Sequence, residues 1–302
     1  MTVGVIVPVY VAIGEARYLA QALDGVLEQQ PPPDRVIVVD DGSPVPVRLA
    51  GAHASRCQLV RRERRGGAGP ARDTALAMLE TEFVACADAD DVWLKDKLAT
   101  QLRALERERG AALCFGAAMI IGPDGEPTGE RWRTFDPGPL TSSVLAPLLF
   151  EHNPIPTSSV LARRTALLAA GGFAGPPQCE DWALWLRLLE RGEQFVFAPE
   201  ARVAYRRHSG SVTANVAALA EAAMAVHEAH RGLVDEQTYR RVRAADLTAL
   251  ARGRVRQRHY AAARAGLRAA AALQPPGARD RALRAALSVP GLRALLGRRH
   301  PY

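Results

Sequence analysis

The sequence has few of the features that mark membrane-spanning, secreted or zinc-binding proteins. Its four cysteines lie far apart and form no CxxC pair, which argues against a disulfide framework and against a zinc site. No apolar run approaches the roughly 20 residues that a transmembrane helix needs. The chain enters a predicted strand at once, without a basic leader, so we expect no signal peptide. Together these absences predict a cytoplasmic protein with reduced thiols.

Lysine is almost absent, because only Lys95 and Lys97 occur among 39 basic residues. The net charge of +7 is also uneven, since residues 211–302 carry 16 arginines against 6 acidic residues. We therefore predict a boundary near residue 213, followed by a basic helical region rich in alanine and arginine over 214–302. Arginines on solvated helix faces are its simplest interpretation. Peripheral contact with anionic lipid at the inner membrane face is the alternative hypothesis, and we expect no nucleic-acid partner.

Strand and helix signals alternate over the first 110 residues. Short apolar runs predict strands at Val3–Val9, 35–39, 58–60 and 82–87, and helical spacing of leucine and alanine predicts helices between them. This βαβ alternation predicts an α/β fold with a mostly parallel sheet flanked by helices. In such sheets ligands bind at the carboxyl ends of the strands.

Later segments have less regular signals. Pro70 is placed as the first residue of a helix to about Glu80, and a second helix is predicted over 95–109. Residues 111–122 read as a core strand, closed by a hairpin turn at Pro123-Asp124-Gly125. Residues 158–161 also have the apolar character of a strand.

Two clusters of carboxylates follow apolar strands. Asp40 and Asp41 end one strand, whereas Asp88, Asp90 and Asp91 end another. Neighbouring carboxylates repel each other, and a divalent cation shared with a substrate phosphate offsets that repulsion. We expect Asp88 and Asp90 to point into one site, and Asp91 to turn away and cap the next helix. A simple Asp-Gly turn is an equal interpretation of Asp40-Asp41 taken alone.

Four further residues are candidates for binding or catalysis. Glu180 and Asp181 open a predicted helix, where they either favour the positive end of the helix dipole or supply a general base. Arg72 follows a basic, glycine-rich loop over 61–69 and is our preferred contact to a diphosphate. His208 is either a structural histidine or a ligand of a metal or phosphate.

Six segments, taken in order, resemble the motifs of the family 2 glycosyltransferases, which are inverting enzymes with the GT-A fold. They are Val7-Pro8-Val9-Tyr10, Asp40-Asp41-Gly42-Ser43, Gly69-Pro70-Ala71-Arg72-Asp73, Asp88-Ala89-Asp90-Asp91, Glu180-Asp181-Trp182 and Tyr205-Arg206-Arg207-His208. The resemblance implies a Rossmann-like GT-A domain over residues 1–213. Its nucleotide-binding half would extend to about residue 110, and its acceptor and catalytic half over 111–213. A C-terminal α-helical appendage over 214–302 lies outside the resemblance.

The resemblance also implies the donor site. Pro8 and Tyr10 would line the nucleotide pocket, and Asp41 would contact the base with Asp40 beside it. Asp88 would hold the ribose. The implied donor is a nucleotide sugar, with UDP the expected nucleotide.

The catalytic residues follow from the same resemblance. Asp90 would coordinate Mn²⁺ or Mg²⁺ at the diphosphate, with His208 as a second candidate ligand. Asp181 would be the catalytic base, with Glu180 as its neighbour. The acceptor would be a glycan, a lipid-linked acceptor or a small molecule, in a role such as bacterial cell-surface polysaccharide synthesis.

Two positions depart from the family pattern, because Val11 and Asp73 stand where asparagine is common. Two other functions are alternatives. A nucleotidyltransferase needs a glycine-rich phosphate loop after the first strand, and this sequence has none there. A non-catalytic, carbohydrate-binding scaffold could lose Asp90 or Asp181 without harm, yet both residues are present.

Overall fold

The computed structural model describes residues 1–12, 16–132, 134–208 and 215–288. They belong to two compact units, Met1–Ser209 and Gly210–Tyr302. The predicted boundary between residues 213 and 214 lies outside the described residues.

One mixed sheet runs through the first unit. Its strands are β1 (Val3–Val9), β2 (Arg35–Asp40), β3 (Gln58–Arg61), β4 (Phe83–Cys86), β5 (Val92–Trp93), β6 (Ala111–Ile121), β7 (Pro127–Arg131), β8 (Gly138–Leu140), β9 (Leu161–Arg163) and β10 (Gln194–Arg206). The strand order is β3-β2-β1-β4-β9-β6-β10-β5, with β7 paired to β6 and β8 paired to β10.

Six of the ten strands in the described residues run in the same direction, namely β1 to β4, β6 and β10. The first four strands along the chain pair in parallel, with β1 between β2 and β4. The short strand β9 then runs antiparallel between β4 and β6, and β10 is parallel to β6. The predicted fold class is therefore confirmed, although the antiparallel strand in its middle was not predicted.

Helices flank the sheet. They are α1 (Leu19–Leu27), α2 (Gly51–Arg56), α3 (Ala68–Met78), α4 (Lys97–Arg107), α5 (Ser142–Glu151), α6 (Arg164–Ala169) and α7 (Glu180–Glu190). The helix α7 begins where the sequence predicted, and its tryptophans Trp182 and Trp185 are buried. The hairpin predicted at residues 123–125 joins β6 to β7.

Two local predictions need correction. The helix α3 begins at Ala68, so Pro70 is its third residue, a first-turn position where its missing N–H is not needed. The segment predicted as a strand at 158–161 is a 3₁₀ turn over Thr157–Ser159, followed by β9. One side chain of this turn bonds locally, because Ser159 Oγ donates to the carbonyl oxygen of Pro156 at 2.7 Å.

The second unit is helical in its described part. It contains α8 (Val216–Ala229), α9 (Glu236–Arg256), α10 (Tyr260–Leu273) and α11 (Ala278–Ser288). The carboxylate of Asp235 caps α9 by accepting a hydrogen bond from the Thr238 backbone N–H at 2.7 Å. Of the helices in the described residues, none has both the length and the apolar character needed to cross a bilayer.

Candidate active site

The predicted site residues meet at one edge of the sheet. The strands β1, β2 and β4 are parallel neighbours, so their carboxyl ends lie side by side. Tyr10 follows β1, Asp41 follows β2, and Asp88 follows β4. The topology therefore brings the two acidic clusters to a single crevice.

Asp40 is buried, and its carboxylate is hydrogen-bonded by the loop that follows it and by Arg61. Its carboxylate accepts hydrogen bonds from the backbone N–H groups of Ser43 at 2.9 Å and Val47 at 3.1 Å, and from Arg61. Burial raises the pKa of Asp40, but these hydrogen bonds outweigh it and leave the pKa below its ordinary value. The carboxylate therefore stays ionised and holds the loop after β2 in place.

Asp41 anchors the basic loop that crosses the site. Its carboxylate accepts from the backbone N–H groups of Gly66 and Gly67, at 3.0 and 2.6 Å, and from Arg62. This places the Arg65 guanidinium 4.0 Å from the centroid of the Tyr10 ring. The loop approaches so closely that a Cβ on Gly42 would lie 2.8 Å from the Arg65 nitrogen. Tyr10 and Asp41, two of the residues predicted for the nucleotide site, are thus packed against this loop.

Arg72 bridges the two halves of the site. It donates to Asp88 Oδ1 and to Glu180 Oε1, both at 2.6 Å, and its side chain is only 5% exposed. Burial lowers its pKa, but the charges of Asp88 and Glu180 outweigh that effect and keep Arg72 charged. Close packing requires a glycine at 69, where a Cβ would lie 2.7 Å from the backbone oxygen of Phe173 and 2.9 Å from Cγ of Glu180. Here Arg72 binds carboxylates, and its contact with a diphosphate stays a prediction.

Asp91 has a different role from the predicted helix cap. It is buried, and it accepts hydrogen bonds from Ser158 Oγ at 2.6 Å and from the Arg206 backbone N–H at 2.8 Å. The residue before α4 is Asp96, whose side chain makes no capping hydrogen bond. Burial, together with the charges of Asp90 and Asp88, raises the pKa of Asp91 well above its ordinary value. The prediction was wrong because the chain after Asp90 turns inward before α4 begins.

Arg206 holds residues 88–91, which we call the acidic turn and which include Asp90. Its Nε donates to the carbonyl oxygen of Asp90 at 2.9 Å, and its Nη2 donates to Gln21 Oε1 at 2.6 Å. Its guanidinium carbon also lies 4.5 Å from the centroid of the Tyr18 ring. The acidic turn is therefore fixed from β10 and from α1 at once.

The Asp90 carboxylate faces His208. Its Oδ2 lies 2.9 Å from His208 Nε2, and the two side chains are 35% and 18% exposed. The imidazole in turn packs on Tyr18, with ring centroids 5.1 Å apart. Among the described residues there is no group of three or more His, Cys, Asp or Glu side chains that could hold a metal ion. Asp90 and His208 nevertheless fit a divalent cation that takes its remaining ligands from a diphosphate and water.

Asp181 is held at the start of α7 by three donors. Thr157 Oγ1 donates to Oδ2, the Trp182 backbone N–H donates to Oδ1 at 2.6 Å, and the Asn153 amide lies 3.4 Å from Oδ2. Burial, followed by the charge of Glu180, raises the pKa of Asp181 to about 6. A carboxylate with this pKa is ionised at neutral pH and can take up a proton.

The 3₁₀ turn joins Asp181 to the acidic turn. Thr157 bonds Asp181, while the next residue, Ser158, bonds Asp91 and lies 3.0 Å from the backbone nitrogen of Asp88. Sequence analysis missed both hydroxyls. Their only signal is the run Thr157-Ser158-Ser159 after two prolines, which is also common in surface loops.

A family model, "Glycosyl transferase family 2", matches residues 4–167. The chain belongs to this family. The matched segment contains β1 to β4 and the acidic turns at their ends, so the predicted membership is confirmed. The chain is also 28% identical over 222 residues to the putative teichuronic acid biosynthesis glycosyltransferase TuaG of Bacillus subtilis, covering 70% of this chain and 82% of TuaG.

Matches to other proteins cover less of the relative or share only the fold. Uncharacterized mycobacterial proteins are 29% identical over 211 residues, and the chain spans about 59% of their length. The structure of S. aureus TarS residues 1–349 in complex with UDP-GlcNAc is similar to 98% of this chain over 88% of the TarS chain, at a TM-score of 0.61 and 16% identity. Mannosyltransferase PcManGT from Pyrobaculum calidifontis, in complex with GDP-Man and Mn2+, covers 97% and 82%, at a TM-score of 0.55 and 20% identity. These two structures share the fold of this family 2 chain.

Within the family 2 fold, the predicted residues divide by their environment. Asp88 and Glu180 are joined through Arg72, with Asp181 next to Glu180 in the chain, whereas Asp90 contacts His208. Pro8, Tyr10, Asp40 and Asp41 lie at or near the neighbouring strand ends, and the last three contact the basic loop. Sequence reasoning placed Arg206 within a motif but gave it no role, because its contacts come from segments far apart in the chain.

Proposed function

We propose that this family 2 chain is an inverting glycosyltransferase, which moves a sugar from a nucleotide-sugar donor, expected to be a UDP-sugar, to an acceptor hydroxyl. The observation that carries the proposal is the Arg72 bridge, because it ties the ribose candidate Asp88 to the helix start that presents Asp181. One buried arginine thus joins the donor candidate to the helix that carries the base candidate. The UDP-GlcNAc and GDP-Man complexes of the two structural neighbours support a nucleotide-sugar donor.

The reaction needs one base and no covalent intermediate. Asp181 takes the proton of the acceptor hydroxyl, whose oxygen forms a bond to the anomeric carbon. The bond from that carbon to the diphosphate oxygen breaks, and the nucleoside diphosphate leaves with the electron pair. The hydrogen bonds from Thr157 and Trp182 hold the Asp181 carboxylate in one orientation while it accepts the proton.

A divalent cation is the proposed cofactor, and Asp90 with His208 would hold it. When bound, Mn²⁺ or Mg²⁺ neutralises negative charge on the leaving diphosphate. Three carboxylates crowd this turn, and burial together with the charges of Asp90 and Asp88 raises the pKa of Asp91, which supports the need for a positive charge there. Hydrogen bonds from Arg206 and Ser158 hold the acidic turn in place.

A thermal-shift panel tests the donor and metal sites together. UDP, GDP, dTDP and CMP are each added with and without Mn²⁺, to the wild type and to Asp90→Ala. We expect one nucleotide to raise the melting temperature in a Mn²⁺-dependent manner, because a ligand that binds only the folded state stabilises it. Asp90→Ala should lose the Mn²⁺-dependent part, whereas exposed Asp24→Asn should keep it. If no nucleotide shifts the wild type, the proposed donor class is wrong.

A further inference from the structure

Trp132 differs from the other tryptophans of the chain. Trp93, Trp182 and Trp185 are buried in the core, whereas Trp132 is half-buried directly after β7. Tryptophan is the largest apolar side chain, so leaving part of its ring in water sacrifices burial energy. A ring that is fixed in place and only half covered is a surface on which a ligand can pack.

The Trp132 ring is fixed next to the proposed base. Its indole Nε1 donates to the carbonyl oxygen of Pro154 at 2.7 Å, which satisfies its polar atom. The preceding residue, Asn153, places its amide 3.4 Å from Asp181 Oδ2. One short loop therefore holds both the indole ring and the carboxylate.

Tyr205 extends this surface toward the acidic turn. Its ring centroid lies 4.9 Å from that of Trp132, with the planes inclined at 54°. The next residue, Arg206, binds Asp91 through its backbone N–H, so Tyr205 stands at the acidic end of the crevice. Burial and the charge of Asp91 raise the pKa of Tyr205, so its phenol keeps its proton. The pair spans the space from the base to the acidic turn.

We propose that Trp132 and Tyr205 form a platform for a pyranose ring of the acceptor, so that the acceptor is a glycan or a glycoside. A pyranose has an apolar C–H face that packs on an aromatic ring, while its rim of hydroxyls stays free to bond polar groups. With this face on the indole, a rim hydroxyl can reach Asp181. The Trp132 end of the platform lies on the base side, because Pro154 and Asn153 join it to Asp181, and this favours the acceptor over the donor. This inference rests on the proposed function.

Saturation-transfer NMR tests the platform without knowledge of the natural acceptor. The probes are the methyl glycosides of glucose, galactose, mannose and N-acetylglucosamine, added to protein with UDP and Mn²⁺. We expect at least one glycoside to bind the wild type through the protons of its apolar face. Trp132→Ala should weaken that binding about tenfold, Trp132→Phe should weaken it less because a ring remains, and exposed Leu168→Ala should leave it unchanged.

The UDP melting shift of each sample separates the two proposals. If UDP stabilises the wild type but no glycoside binds, or if Trp132→Ala binds a glycoside as the wild type does, the platform is overturned and the proposed function stands. Should Trp132→Ala fail to fold, Trp132→Leu and Tyr205→Leu decide, because each removes a ring and keeps an apolar side chain, and unchanged glycoside affinity in both refutes the platform. If no nucleotide in the thermal-shift panel stabilises the wild type, both proposals fall.

Discussion

The Arg72 bridge gives the sharpest prediction for stability. Arg72 is 5% exposed, and its two terminal nitrogens bind the carboxylates of Asp88 and Glu180 at 2.6 Å. Replacing it with methionine leaves these carboxylates in place without their cation. Breaking a buried ion pair by removal of one partner costs about 3–5 kcal/mol, so we expect Arg72→Met to lose about 4 kcal/mol of unfolding free energy at pH 8.

The loss should depend on pH in a defined direction. Arg72 lowers the pKa of Asp181, so its removal should raise that pKa further above about 6. A carboxyl whose pKa is raised in the folded state destabilises the fold when it is ionised, and this penalty disappears as the pH falls and a proton binds. The deficit of Arg72→Met should therefore shrink by up to about 1.4 kcal/mol for each pH unit between the raised pKa and about 6, and stay constant below that, where Asp181 of the wild type is protonated as well.

Urea unfolding of the wild type and Arg72→Met from pH 8 to pH 5 measures both effects. Arg207→Met is the control, since it removes an exposed pair with Glu130 and should cost about 0–1 kcal/mol at either pH. At pH 8 the carboxylates are ionised, so the full cost of the missing cation should be measured. A deficit for Arg72→Met below about 1 kcal/mol at this pH would refute the bridge. A deficit that did not change with pH would refute its electrostatic origin.

Three further predictions concern single residues. The transfer rate should rise with pH through about 6 as Asp181 loses its proton, which a pH profile of kcat/KM measures, and a flat profile between pH 5 and 7 would count against this base. Arg206→Lys should weaken Mn²⁺-dependent UDP binding about tenfold, because one ammonium group cannot bond both Asp90 and Gln21. Calorimetry measures this affinity, and equal affinity in the variant would contradict the positioning role of Arg206. Burial lowers the pKa of Lys97 to about 7, which means that its charged form destabilises the fold, so Lys97→Met should raise the unfolding free energy at pH 6 by about 2 kcal/mol. A destabilised variant would contradict this, because the contacts of Lys97 with Gln101 and Trp93 would then outweigh the cost of desolvation.

The sequence allowed the strand ends and their acids to be predicted, because both depend on local patterns. Apolar runs marked β1, β2 and β4, and parallel pairing then placed Asp41 and Asp88 at one edge. The helix start at Glu180 was likewise predicted from its acids and apolar stripe. These features are encoded within a few neighbouring residues.

Contacts between distant segments could not be predicted in this way. Asp91 was expected to cap a helix, but it binds Ser158 and Arg206, which lie 67 and 115 residues away. The Arg72 bridge to Glu180 spans 108 residues. Such pairs follow from the register of the whole sheet, and in particular from β9, whose short antiparallel run carries no clear sequence signal.

The assignment of Asp181 as the base of a nucleotide-sugar transferase is the central claim. Asp181→Asn keeps the shape of the side chain and an oxygen that accepts from Thr157, but the amide cannot take a proton from an acceptor. The decisive measurement is the rate of glycosyl transfer by Asp181→Asn, beside its UDP melting shift in the presence of Mn²⁺. If Asp181 is the base, Asp181→Asn should transfer sugar at least about 100-fold more slowly, which is the scale of general base catalysis, and should keep its UDP melting shift. Transfer at the wild-type rate with intact UDP binding would contradict this assignment.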